Sequence, residues 1–246
     1  MTIKETESVV LETPTGPMKT YIFQPATEGK NPAIMLFSEI FQATGPIRRA
    51  CEFLAGHGFV VALPEIFHEL ESPGTVLAYD QAGGDRGNAD KVGKELSSYD
   101  ADARALLSFL KTYSKSNSKL GAIGFCIGGH LAFRAAMNPE ILAATCCYPT
   151  DIHSRKLGKG TNDDSLSRIP EIKGELMMVF GRQDPHVPRE GRRIIYDALA
   201  EANVNFTWHE FNGAHAFMRD EGPRYDPAAA RHVYAMAIDL FQRRLL

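Results

Sequence analysis

Short apolar runs alternate with helix-like patterns along this 246-residue chain. The alternation points to an α/β architecture, a mainly parallel twisted sheet with helices on both faces. Two more observations agree. Several runs are continuously apolar, as strands buried on both faces are. Proline and glycine also stand where the helical patterns begin and stop.

The elements follow in order. Ser8 to Thr13 and Met18 to Gln24 flank Pro14-Thr15-Gly16, a hairpin signal. Ala33 to Phe37 is a buried-type strand. Pro46 to Gly56 reads as a helix, with Ile47, Ala50, Cys51, Phe53 and Leu54 at helical spacing. Phe59 to Leu63 is a strand stopped by Pro64, and Asp90 to Tyr113 is mostly helical. Leu120 to Phe125 is a strand and His130 to Met137 a helix. Ile141 to Tyr148 and Leu176 to Phe180 are further strands. Pro188 to Ala202 is a helix, Phe206 to Phe211 a late strand, and Pro227 to Leu246 a closing helix. Glu65 to Ala89 and Thr150 to Pro170 break the alternation. Both read as polar loops of the kind that frame a ligand cleft beyond strand C-termini. No linker marks a second domain or a large cap, so residues 1–246 read as one domain.

Composition narrows the function. Hydrophobic residues make up 44% and charged residues 23%, with a net charge of -3. Such a chain can bury a sizeable core and has no strongly basic character that would suit nucleic acid or an anionic membrane. The first seven residues lack the apolar core of a signal peptide. No apolar run approaches transmembrane length. The expectation is a cytoplasmic protein, a monomer or small homo-oligomer, acting on a small molecule. The four cysteines suit neither a disulfide framework nor a zinc site. Cys146 and Cys147 read as core residues.

Gly124-Phe125-Cys126-Ile127-Gly128-Gly129 carries the chemistry. It sits between a strand and a helix, the context that a nucleophile elbow requires. The turn strains the nucleophile's backbone and brings neighbouring chain close, which Gly124 and Gly128 permit. The following helix aims its N-terminal dipole at the thiol. A buried structural cysteine in a glycine-rich turn is the bland alternative. A cysteine nucleophile needs a base and a group to orient it. Asp184 falls just past one strand and His215 just past the last, in the order nucleophile, acid, histidine. Asp184 before Pro185 could instead serve only as a turn or cap residue, and His215 as a loop histidine. The remaining histidines read as surface or core residues. His209-Glu210 with His215 lacks the spacing of a zinc protease motif, so no metal is expected. The N–H groups of Ile127 and Ile40 are the candidate oxyanion donors. Glu39 beside them reads as a solvated loop residue or as a carboxylate that holds the thiol proton at rest.

The stretches Glu39-Ile40-Phe41, Pro73-Gly74-Thr75, Gly124 to Gly129, Gly181-Arg182-Gln183-Asp184 with Val187-Pro188, and Gly213 to Phe217 together resemble the dienelactone hydrolase family of α/β-hydrolases. The resemblance implies an α/β-hydrolase fold, no cofactor, and a Cys126–His215–Asp184 triad with Glu39 on the resting thiol. It also implies a carboxylate-bearing lactone held by two arginines, Arg219 and Arg86, in a pocket lined by Tyr148. A broad carboxylesterase is the first alternative. A catalytically silent binding scaffold is the second, and a redox sensor using Cys126 the third. The glycine-rich Ala82 to Gly87 and the Thr150 to Pro170 stretch depart from the family pattern.

Overall fold

The structure, a computed structural model, describes residue 3 and residues 7–246. Most of the stretch read for a leader therefore lies outside the described residues. Eight strands form one sheet: β1 (Glu7–Thr13), β2 (Gly16–Phe23), β3 (Asn31–Phe37), β4 (Val60–Pro64), β5 (Ser116–Phe125), β6 (Ile141–Cys147), β7 (Glu175–Gly181) and β8 (Phe206–Phe211). Their order is β1-β2-β4-β3-β5-β6-β7-β8. The β1–β2 hairpin and the β2–β4 pair are antiparallel. From β4 onward every pair is parallel.

Strand period places the helices on two faces. Met35 on β3, Ala122 on β5 and Met178 on β7 face one side, where α3 (Leu96–Thr112), α4 (Ile127–Ala135) and α5 (Arg189–Glu201) pack. Ile34, Ile123 and Val179 face the other, against α1 (Gly45–Gly56) and α6 (Pro227–Leu245). Cys146 and Cys147 are buried core residues, as the sequence implied, and Cys51 on the helix read from the sequence is buried as well.

The Glu65 to Ala89 stretch corrects the sequence reading, because its second half begins a helix, α2 (Gln81–Gly93). Asp80 caps it by accepting from the Gly83 N–H at 2.8 Å. The glycines, which look like loop residues in sequence, allow close approach. A Cβ on Gly83 would strike the Ala78 carbonyl, and one on Gly87 would strike Ile40. The helical stretch after Asp90 is consequently two helices, broken at Lys94. That buried lysine turns inward to Asp102 and Glu69. Thr150 to Pro170 does run as turns, but it is pinned. Arg134 on α4 binds Asp100 on α3 together with Asp163, Asp164 and Ser165 of this segment.

Candidate active site

β5 ends at Phe125 and α4 starts at Ile127, so Cys126 alone makes the turn. Its backbone sits at φ 60° and ψ -122°, a region that L-residues occupy only under constraint. The surrounding chain supplies that constraint. The Cys126 N–H donates to the Cys147 carbonyl at 3.1 Å, and its own carbonyl accepts from Gly129 and Thr150. A Cβ on Gly124 would overlap the Gly128 carbonyl, and one on Gly128 would overlap Phe37. The two glycines flanking the motif are thus required by the crossing of β5, α4 and the end of β3. The thiol is part-exposed at the sheet's C-terminal edge, and the other three cysteines are buried.

Asp184 follows β7 and His215 follows β8. The His215 imidazole meets the Asp184 carboxylate at 2.7 Å through Nδ1. The other Asp184 oxygen accepts from the His186 N–H at 2.8 Å. Burial pushes the Asp184 carboxyl up, but the hydrogen bond and charge of His215 outweigh it, and the net shift is downward. For His215 burial opposes the proton. The charge of Cys126, the bond to Asp184 and the bond to Cys126 outweigh burial and raise the imidazole to about 10. A glycine again permits the geometry, since a Cβ on Gly181 would strike the Gly213 and Ala214 carbonyls.

Glu39 lies in the turn after β3 and is 3% exposed, which excludes the solvated-loop alternative. Burial raises its carboxyl. Arg219, His215, Tyr79 and Arg224 pull it back without restoring the usual carboxylate range. Tyr79 donates to Glu39 at 3.3 Å, and an Arg219 amine stands 3.7 Å away. The Arg219 guanidinium also lies 4.2 Å from the Tyr79 ring centre. The N–H groups of Ile40 and Ile127 have no hydrogen-bond partner among the described residues, so both remain available as donors.

Cys126, His215, Glu39, Ile40 and Arg219 border one cavity of about 360 Å³. Its far wall consists of Gln81, Gly84, Asn88 and Lys91 on α2 and of Thr150 and Asp151. Two expected lining residues are elsewhere. Arg86 turns away on α2 and clasps Glu71 with both arms. Residues three and four positions apart share a helical face, so Gln81, Gly84, Asn88 and Lys91 form one stripe, and Arg86, two positions from both Gly84 and Asn88, lies off it. Tyr148 is buried beneath His215, with ring centres 5.3 Å apart. It borders a separate, very small cavity behind Glu39. Cations that the sequence reading missed, Lys91 and Arg224, do line the main cavity. So does His186, which sits edge-on to His215 at 4.6 Å. Burial and the His215 charge lower its ring below the usual histidine range. Its place two residues after Asp184 was the available signal.

A mostly parallel sheet whose central strand turns through a strained cysteine into a helix, with Asp and His beyond later strands, is the arrangement of an α/β-hydrolase. The dienelactone hydrolase family model matches residues 18–245. The chain belongs to that family of hydrolases. A Saccharomyces cerevisiae relative, provisionally named a carboxymethylenebutenolidase, is 40% identical over 93% of this chain and 87% of its own length. The carboxymethylenebutenolidase of Pseudomonas putida is 26% identical over 81% of this chain and 80% of its own. The crystal structure of a provisionally assigned dienelactone hydrolase from Klebsiella pneumoniae has the same fold. It superposes with a TM-score of 0.86 at 20% identity, covering 99% and 100% of the two chains.

Proposed function

We propose that this protein is a cysteine-dependent hydrolase of a small ester or lactone that carries a carboxylate. One observation carries the reading. A strained, part-exposed thiol shares a cavity with a histidine bound to a buried aspartate and with a buried Glu39 beside Arg219.

Arg219 is the largest influence holding the Glu39 carboxyl down. A substrate carboxylate that engages Arg219 competes with Glu39 for it and perturbs the contacts that keep the thiol at rest. The thiol proton passes to His215, and Sγ attacks the acyl carbon. The Ile40 and Ile127 N–H groups receive the oxyanion. As the carbon–oxygen bond breaks, the imidazolium protonates the leaving oxygen, which leaves a thioester. Acylation removes the Cys126 charge that chiefly raises His215. The imidazole therefore becomes a base at the step that needs one. It takes a proton from water, the hydroxide attacks the thioester, the carbon–sulfur bond breaks, and the imidazolium returns the proton to the Cys126 thiolate. Asp184 orients the ring throughout. All four cysteines are free, and a thiol nucleophile suits the reducing cytosol.

The test is steady-state kinetics on a carboxylate-bearing dienelactone and on p-nitrophenyl acetate. The reading expects hydrolysis of both, with the charged lactone preferred, and loss of both in Cys126→Ala. Preference for the uncharged ester would favour a broad carboxylesterase. Undiminished turnover by the variant would reject the nucleophile.

A further inference from the structure

Cys126 and Arg219, the groups that a carboxylate-bearing lactone would engage, leave Lys91 and Asp151 of the same cavity unused. The cavity, at about 360 Å³, is of a size that accommodates larger ligands. Its other end is built from opposite charges. The Lys91 ammonium on α2 meets the Asp151 carboxylate at 2.8 Å, with both side chains largely buried. Burial raises the Asp151 carboxyl, but Lys91 outweighs it and holds the group ionised.

Two features mark the pair as placed for a ligand. Asp151 adopts φ 68°, a left-handed conformation uncommon outside glycine, and it lines the cavity. Its neighbour Thr150 donates its N–H to the Cys126 carbonyl at 3.3 Å. The pair is therefore held at a set distance from the elbow.

The chemistry of the pair limits what it can recognise. The ammonium has three donors and gives one to Asp151. The carboxylate has lone pairs to spare. An alkyl group would strip water from both ions and return no hydrogen bond. A second carboxylate would face Asp151. A hydroxyl accepts from Lys91 and donates to Asp151 without separating them.

We infer that Lys91 and Asp151 form a hydroxyl-reading subsite, so that the substrate is a hydroxylated, carboxylate-bearing lactone or ester. The inference rests on the hydrolase reading above. The substrate's carboxylate lies toward Arg219, and its hydroxyl meets Lys91 and Asp151 together from the cavity side.

The experiment compares two carboxylate-bearing γ-lactones that differ only by a hydroxyl remote from the carboxylate. p-Nitrophenyl acetate serves as a control for the chemistry. The native protein is expected to prefer the hydroxylated lactone by about tenfold or more in kcat/KM, chiefly through KM. In Lys91→Met and in Asp151→Asn that ratio falls toward one. Equal kcat/KM for the two lactones in the native protein, with the ester still hydrolysed, overturns the subsite and leaves the hydrolase. No hydrolysis of any of the three overturns both.

Discussion

The two walls of the cavity are made differently. The catalytic wall is set by backbone. Gly124, Gly128 and Gly181 let chains cross where any side chain would collide, and the functional groups follow within one to four residues of β5, β7 and β8. The opposite wall has close approaches too, at Gly83 and Gly87, but it is tied down by side-chain charges that join distant segments. Arg134 binds Asp100, Asp163 and Asp164, Lys91 binds Asp151, and Lys94 binds Asp102. Backbone crossings tolerate almost no substitution and fix the chemistry. A side chain in the second wall can be changed without moving a backbone crossing, so its substitution should affect binding before chemistry.

Several outcomes would break or sharpen this contrast. Asp184→Asn should show the largest effect, a kcat lower by roughly 10³–10⁴. KM should change far less, because Asp184 touches only His215 and the turn. A similar loss in KM would mean that the catalytic wall also binds substrate. Gly128→Ala and Arg134→Gln form the direct comparison, read by urea unfolding together with kinetics. The alanine drives the elbow off the end of β3 and should abolish activity even in protein that still folds. The glutamine removes the guanidinium that Asp100, Asp163 and Asp164 share and leaves buried Asp163 with only His130 and Ser165; breaking such a buried pair typically costs about 3–5 kcal/mol. In folded protein it should alter KM more than kcat.

The next effect depends on pH. With the Cys126 thiolate beside it, His215 is raised from 6.5 to about 10 in the folded protein. Its contribution to stability is complete below pH 6.5, where the unfolded state is also protonated. It fades as pH rises toward and through 10. The Tm difference between the native protein and His215→Gln should therefore shrink between pH 6 and pH 10. A difference that grew with pH would contradict the assigned sign. Cys126→Ser removes the largest influence raising the imidazole and should bring its NMR titration down toward the ordinary range. The smallest effect belongs to Arg86→Ala. Because Arg86 clasps Glu71 outside the cavity, kcat/KM for a charged lactone should change by less than about threefold. A tenfold rise in KM would return Arg86 to the substrate.

The same contrast explains what was legible in the sequence. Cys126, Asp184 and His215 could be read because each follows a strand directly, and strand position is encoded in local apolar runs. Glu39 and Arg219 were legible as positions. Burial raises the Glu39 carboxyl, and the groups that pull it back, Tyr79 and Arg219, lie 40 and 180 residues away, which local pattern does not carry. α2 was missed because its glycines serve packing on Ala78 and Ile40, where propensity alone reads them as breakers. Without α2 as a helix, nothing in the sequence shows that Lys91 shares a face with Gly84 or that Arg86 does not.

The most direct test is rapid-quench mass spectrometry of the protein turning over a slow ester or lactone. The account predicts a transient acyl mass on the peptide carrying Cys126. That adduct should form and decay at rates that account for kcat, and it should be absent in Cys126→Ala. Sustained native turnover with no acyl group ever found on Cys126 would contradict it.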